Sequence, residues 1–407
     1  MDNFASADAF LAHSAPERPV LAVRPHAAAR AARWFLDHFP GEVAYAYKAN
    51  SSVFLLGALY GAGIRHFDVA SIPEIADAAT IPKARLHFMH PVKSRVMIAE
   101  AYHRYGVRSF ALDSLDELEK ILTETGHARD LTLWVRLAVP AIGAKMPLDR
   151  KYGVTPDQAH ALVLATRRVA HELGITFHVG SQTEQPSAYG VALGAVQRLI
   201  IEAGVVVDRL DVGGGFPSRY ADGEPSPLPA FMDAIRTGLA KVSLPEHCRV
   251  MCEPGRALVA EAESLIVRVD ARRGDELFIN DGSYGTLFDA AHMGWRFPVR
   301  LVGRAAAPNA QARAFSFWGP TCDTIDHMAG PFVLPDDIGE GDYIEIGMIG
   351  AYGRAIASRF NGYGHYDEVI LRDEPMFSLY GAASSPADAT VGEAAAVARD
   401  DALVAGA

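Results

Sequence analysis

Little in this sequence suits an extracellular or membrane protein. It carries 3 cysteines in 407 residues, and two of them, Cys248 and Cys252, lie four apart beside a strand-like run. No disulfide framework is expected from such a set. No stretch approaches the roughly 20 consecutive apolar residues that a membrane span requires. Met1 to Ser14 holds Asp2 and Asp8 but no lysine, arginine or continuous apolar run. It does not read as a secretory leader, so a cytoplasmic location is expected. Positive charge is in deficit too: the formal net charge is −11, which argues against nucleic acid or an anionic membrane surface as partner. That total does not describe a pocket and leaves the substrate open. No metal is expected.

What the chain does have is hydrophobic residues, 50% of the total and spread throughout. A chain of this length exceeds one small core and favours one large barrel plus a second domain. After a short strand at Pro19 to Arg24, eight strand-like runs follow near 42–47, 64–69, 85–88, 108–112, 131–137, 175–180, 208–212 and 249–252. Patterns of helical period separate them, such as Ser114 to Thr125 and Pro156 to Leu173. Ser114 and Asp116 ahead of Glu117 supply helix-start chemistry. The strand interiors are apolar rather than alternating, as parallel strands under helices should be. This predicts an α/β fold: a (β/α)8 TIM barrel over 25–256, with a doubly wound open sheet as its rival.

From about Ala257 the pattern changes. Val259 to Val269, Glu276 to Asn280, Val299 to Arg304, Ala314 to Trp318 and Asp342 to Ile346 read as strands without long helices between them. A β-rich domain is expected over 257–375, joined by a strand from residues 1–24, and a disordered tail over 376–407.

Three strand ends carry the chemistry. The first run closes on Tyr47-Lys48-Ala49-Asn50, the seventh on Gly213-Gly214-Gly215-Phe216-Pro217, and the eighth on Glu253-Pro254-Gly255-Arg256. Barrel enzymes place their sites at the C-terminal ends of the strands, with phosphate commonly held after strands 7 and 8. Glycines let backbone N–H groups approach an anion closely, and Arg256 adds a guanidinium. Alone, a triple glycine is a tight turn and a strand-end lysine a solvated surface residue. Together, a lysine, a triple glycine and an acid on one rim suit a phosphorylated aldehyde cofactor. On that rim burial should lower the Lys48 pKa and make the neutral amine available for a Schiff base.

Seven motifs in order then resemble a known family: Tyr47 to Asn50, Phe67-Asp68-Val69-Ala70-Ser71, Phe177-His178-Val179-Gly180-Ser181, Gly213 to Pro217, Glu253 to Arg256, Gly319-Pro320-Thr321-Cys322-Asp323 and Gly350-Ala351-Tyr352. Over roughly residues 18 to 375 the chain resembles the alanine-racemase-fold, pyridoxal-phosphate-dependent decarboxylases of basic amino acids. The resemblance implies pyridoxal 5'-phosphate as cofactor, linked to Lys48. His178 would stack on its ring. Ser181, Gly213, Gly214, Gly215, Gly255, Arg256 and Tyr352 would hold its phosphate, and Asp68 and Arg136 would flank the ring and its lysine linkage. Glu74 would support that shell or serve only as a helix-surface acid. Glu253 would pair with the pyridine nitrogen, keeping it protonated and the ring electron-withdrawing, which favours decarboxylation over racemisation. A structural pairing of Glu253 with Arg256 is the alternative.

The same resemblance implies a homodimer with shared active sites. Cys322 would reach the partner's site and protonate the α-carbon, and Asp323 would pair with the distal ammonium. Tyr284, Phe360 and Asp289 would complete the substrate site, unless Asp289 is a helix-start residue. Ornithine or lysine is the expected substrate. Diaminopimelate, arginine or a pathway-specific amino acid is the alternative, and a non-catalytic cofactor-binding homologue a further one. The chain departs from the family pattern at Ser51, Arg354 and Arg359. An arginine facing the pocket at 354 or 359 would bind a carboxylate or phosphate and redirect the substrate.

Overall fold

Ser71, Ser94 and Ser114 each stand one residue ahead of a helix, and each hydroxyl accepts the backbone N–H three residues on, from Glu74, Met97 and Glu117. These caps satisfy donors that a helix start leaves unpaired, so they mark where strand turns into helix. The computed structural model describes residues 2–381. In it, eight parallel strands close into a barrel: Glu42–Ala46, His66–Val69, Arg85–Phe88, Ser109–Leu112, Thr132–Leu137, Glu172–Phe177, Arg209–Asp211 and Arg249–Cys252. Cys252 beside Val43 closes the ring. The closed barrel excludes the open doubly wound sheet.

Strand alternation divides the core in two. Phe67, Phe88, Phe110, Leu133 and Ile175 turn outward under the helices, in one large cluster. Inside the barrel, Ala44, Met89, Ala111, Trp134 and Met251 pack on one another. Trp134 fills the centre because Gly174 faces it: a Cβ there would stand 2.3 Å from the indole. Below the indole runs a polar chain, His66 Nδ1 to His87 Nε2 at 2.9 Å, His87 Nδ1 to Ser109 Oγ at 2.8 Å, and Trp134 Nε1 to Ser109 Oγ at 2.7 Å.

A nine-stranded sheet forms the second domain. Its long strand Glu263–Arg273 pairs antiparallel with Val20–Val23, which pairs parallel with Asp367–Leu371. The N-terminal strand therefore sits inside this sheet.

Several boundaries differ from the sequence reading. The helical run from Pro156 ends at Val169, and the next strand starts at Glu172, three residues before the expected 175; Thr166 accepts the Ala170 N–H, and the chain turns there. Val259, expected to open a strand, closes the short helix Arg256–Val259. The strands His327–Pro335 and Asp367–Leu371 are additional to those that the sequence suggests. Residues 376–381, expected in the disordered tail, are folded back: Phe377 and Tyr380 pack on the core, and the Tyr380 hydroxyl donates to Ala257 O. The rest of that segment, 382–407, lies outside the described residues. Among the described residues no helix is long and apolar enough to cross a membrane.

Candidate active site

Because alternate strand residues face inward, the C-terminal ends of several strands bring their last side chains to one mouth. A cavity of about 320 Å³ opens there. Of the twelve residues expected to hold the cofactor, eleven line it; Gly213 stands just behind. Sequence reasoning missed His90, Lys151 and Tyr152, which line it as well. His90 follows a barrel strand, a signal that was available. Lys151 and Tyr152 belong to the long loop after Thr132–Leu137, for which no motif spoke.

Lys48 occupies a short 3-10 turn, Tyr47–Ala49, directly after the first barrel strand. Its Nζ donates to Asp68 Oδ2 at 2.6 Å. Burial works to lower its pKa, but the Asp68 carboxylate, aided by Tyr352 and Glu253, raises it overall. The expected lowering is therefore corrected: Asp68, Tyr352 and Glu253 together outweigh desolvation.

His178 is half-buried, and its Nδ1 accepts the Gly180 N–H at 3.0 Å. The imidazole is neutral, with its pKa pushed down to about 3 by burial and then by the nearby cations Arg136 and Lys48. A neutral aromatic face suits stacking against a flat ring. Behind it, Gly213 has φ +70 and Gly215 φ +103. A Cβ on Gly213 would stand 2.0 Å from Phe177 O, and one on Gly214 would stand 3.0 Å from His178 Nε2. Only a glycine run fits against His178 this closely.

Glu253 is buried, and its Oε1 has no hydrogen-bond partner among the described residues. Its pKa is raised well above the carboxylate range by burial, then by the carboxylates of Asp211 and Asp68. Such a group ionises once a cationic N–H is set against it. Its alternative partner is excluded, because Arg256 is held elsewhere. The guanidinium donates to Tyr220 Oη at 2.7 Å, lies 3.6 Å from Asp289 Oδ2 and stacks 4.0 Å over Trp295. The Arg256 Nε is a buried donor that likewise has no partner among the described residues. These orphaned atoms, the glycine run and the neutral imidazole fit a flat, phosphorylated, nitrogen-containing cofactor.

Asp289 lies in the first turn of the helix Phe288–His292 and is buried against Arg256. The structure thus gives it the helix-start place and an internal partner, not an open position for a substrate amine. Glu74 is half-buried and its Oε2 accepts the Ala70 N–H at 2.7 Å, so it shapes the turn after Asp68 rather than idling on the surface.

Cys322, Asp323, Tyr284 and Phe360 form a second cluster that does not line the cavity. Tyr284 donates to Asp323 Oδ2 at 2.6 Å, and its ring lies 4.6 Å from that of Phe360. Cys322 is exposed, with Sγ 3.3 Å from Asn361 Oδ1. Buried Asp326 fixes this tip: one oxygen accepts from the Ser283 N–H and hydroxyl, the other from those of Thr321. Ile325 and Tyr363, within three residues of Asp323 and Phe360, are exposed, as are Phe288, Met293 and Ile356 elsewhere in the same domain. Arg354 does not line the cavity: it is paired with Glu263 and Glu368. Arg359 is exposed beside Phe360.

Comparison with known proteins agrees with this geometry. The profile of the family described as pyridoxal-dependent decarboxylase, pyridoxal binding domain, matches residues 26–260. A lysine/ornithine decarboxylase of Selenomonas ruminantium is 33% identical over 352 residues, which cover 84% of this chain and 86% of that one. The arginine decarboxylase of Paramecium bursaria Chlorella virus, solved with agmatine, superposes with a TM-score of 0.80 at 26% identity, covering 89% of this chain and 98% of its own. A Vibrio vulnificus lysine/ornithine decarboxylase solved with putrescine gives 0.77 at 27%, covering 90% and 99%.

Proposed function

The chain belongs to the pyridoxal-dependent decarboxylases, and from that premise we propose that it removes the α-carboxylate of a basic L-amino acid, ornithine or lysine, to leave the diamine and carbon dioxide. The observation that carries the reading is Glu253, a buried carboxyl with a bare oxygen at the cavity that Lys48 enters. Pyridoxal phosphate, when bound, supplies the electron sink for the pair released with carbon dioxide.

Each residue then has a place. Lys48 Nζ holds the cofactor aldehyde, with Asp68 and Arg136 beside the linkage. Ser181, Gly213, Gly214, Gly215, Gly255, Arg256 and Tyr352 receive the phosphate. Neutral His178 covers one ring face and adds no charge to it. Glu253 keeps the ring nitrogen protonated, so the ring stays electron-poor.

The second cluster completes the site from another subunit. Cys322, Asp323, Tyr284 and Phe360 are displayed on an apolar surface rather than in their own chain's cavity. A second copy covering that surface would bury the exposed side chains and carry Cys322 Sγ, with its proton, into the neighbouring mouth. Asp323 would meet the distal ammonium, since a carboxylate there favours a cationic end over a second carboxylate. Ornithine and lysine differ by one methylene, worth only about 1–3 kcal/mol in a pocket, and both are expected to react.

The test is carbon dioxide release by cofactor-loaded protein supplied separately with ornithine, lysine, arginine and meso-diaminopimelate. Turnover of ornithine or lysine with formation of the diamine supports the reading. Turnover of meso-diaminopimelate alone would replace the substrate assignment and leave the reaction class standing.

A further inference from the structure

Arg354 interrupts a stretch of small residues, and its guanidinium is committed. Nη2 and Nε donate to Glu263 Oε1 at 2.7 and 3.1 Å, and Nη1 to Glu368 Oε1 at 2.8 Å. Glu263 is the less usual partner, a carboxylate with 0% side-chain exposure at the start of the strand Glu263–Arg273. An ionised carboxylate so placed persists only with a cation against it. Its other oxygen is also engaged: Oε2 accepts from Asn50 Nδ2 at 2.6 Å.

Asn50 ends the turn that carries Lys48, and its side-chain amide and backbone carbonyl are all engaged. The amide nitrogen also donates to Gly350 O at 2.8 Å, its Oδ1 accepts the Ser52 N–H at 2.9 Å, and its backbone carbonyl accepts the Tyr45 hydroxyl at 2.8 Å. One residue back, Ala49 O accepts the Tyr352 N–H at 2.8 Å. Tyr352 itself has φ +66 and immediately precedes the short helix Gly353–Ile356, which holds Arg354. A non-glycine residue in the left-handed region persists where its surroundings over-determine it. The ion pair therefore ties together, from below, the segment bearing Lys48 and the segment bearing Tyr352.

We propose that Arg354, acting through Glu263 and Asn50, is a positioning residue that fixes the spacing between Lys48 and Tyr352, the groups at the aldehyde and phosphate ends of the cofactor. It touches neither cofactor nor substrate. The arginine that a pocket-facing reading would assign to a substrate carboxylate instead holds the cofactor site in shape. This rests on the assignment of Lys48 and Tyr352 to the cofactor made above.

The experiment follows cofactor release from loaded, full-length protein, by loss of visible absorbance during dialysis against a carbonyl scavenger. Arg354→Gln leaves the Glu263 carboxylate without its cation, and release is expected to accelerate at least about tenfold, a difference of about 1.4 kcal/mol. Arg354→Lys should fall between, because an ammonium cannot reproduce the two-pronged contact. Glu263→Gln combined with Arg354→Gln removes both charges and should return release to within about threefold of the parent, the non-additivity expected of contacting residues. Release unchanged in Arg354→Gln, with the unfolding midpoints of cofactor-free and loaded protein lowered equally, would overturn the proposal and leave a purely structural pair. A double variant that releases as fast as the single one would also overturn it. Where Arg354→Gln does not fold, Arg354→Lys takes its place with the same outcomes. Lys48→Ala is the control on the underlying assignment: a parent-like visible band in that variant would show the assignment, not the clasp, to be wrong.

Discussion

Lys48 Nζ stands 2.6 Å from Asp68 Oδ2, and this contact sets the charge of the amine. The Lys48 side chain is 45% exposed in this chain, and the Asp68 carboxylate at that distance favours its charged form.

Asp68→Asn should lower the Lys48 pKa, because the group that raises it is gone while burial, which lowers it, remains. The neutral amine then becomes available at lower pH. Cofactor loading of the stripped protein, timed by absorbance across a pH series, should shift its half-maximal rate downward. A profile superimposable on the parent's would remove Asp68 from this role.

Glu253→Gln keeps the shape of the side chain and loses its charge. The ring nitrogen would no longer be held protonated, and turnover should fall by about 10²-fold or more, the scale of a positioned acid–base group. Cofactor affinity should change far less, since the phosphate contacts are elsewhere. Equal losses in affinity and turnover would make Glu253 a structural acid.

Asp211 yields a stability prediction. It is fully buried, accepting from the Thr176 hydroxyl at 2.6 Å and the Gly213 N–H at 2.9 Å, and burial raises its pKa to about 7. Between its ordinary value of about 4 and that folded value, the native chain binds more protons here than the unfolded one. Stability of the cofactor-free protein should therefore fall as pH rises through this window. Asp211→Asn should flatten that fall. Urea midpoints at pH 5 and pH 7.5 measure it, and an identical pH dependence in parent and variant would contradict the assignment.

The proposed sharing of the site between two subunits predicts complementation. Equal amounts of Lys48→Ala and Cys322→Ala protein, each nearly inactive, should regain about a quarter of parental activity after exchange, since half the dimers are hybrids with one intact site of two. No recovery after exchange has been verified by mass would confine the site to one chain.

The sequence carried the barrel and its mouth well, because both depend on local signals: apolar runs set the strands, serine caps the turns, and glycine, lysine and glutamate fall at strand ends. What it missed depends on neighbours distant in the chain. The direction of the Lys48 shift is not legible locally, because Asp68, twenty residues away, outweighs burial only together with Tyr352 and Glu253. Asp289 reads equally as a substrate acid or a helix-start residue, and its neighbour Arg256 is not visible from the local sequence. The pairing of Arg354 with Glu263 spans ninety-one positions, and no local pattern announces it. The strand His327–Pro335 was overlooked because its glycine and prolines mask the alternation that Met328, Phe332 and Leu334 supply on its buried side.

The central claim, that Lys48 is the cofactor lysine, has a direct test: borohydride reduction of the loaded protein, proteolysis and mass mapping of the modified peptide. Lys93 is the informative competitor. It is buried, with its pKa lowered to about 8 by burial despite Glu117, and so has the more readily neutral amine. Its Nζ is occupied, however, by Ala111 O, His90 O and the Glu117 carboxylate. The account predicts pyridoxyl mass on the peptide containing Lys48 and none on that containing Lys93. Label on Lys93, or on any lysine other than Lys48, would contradict it.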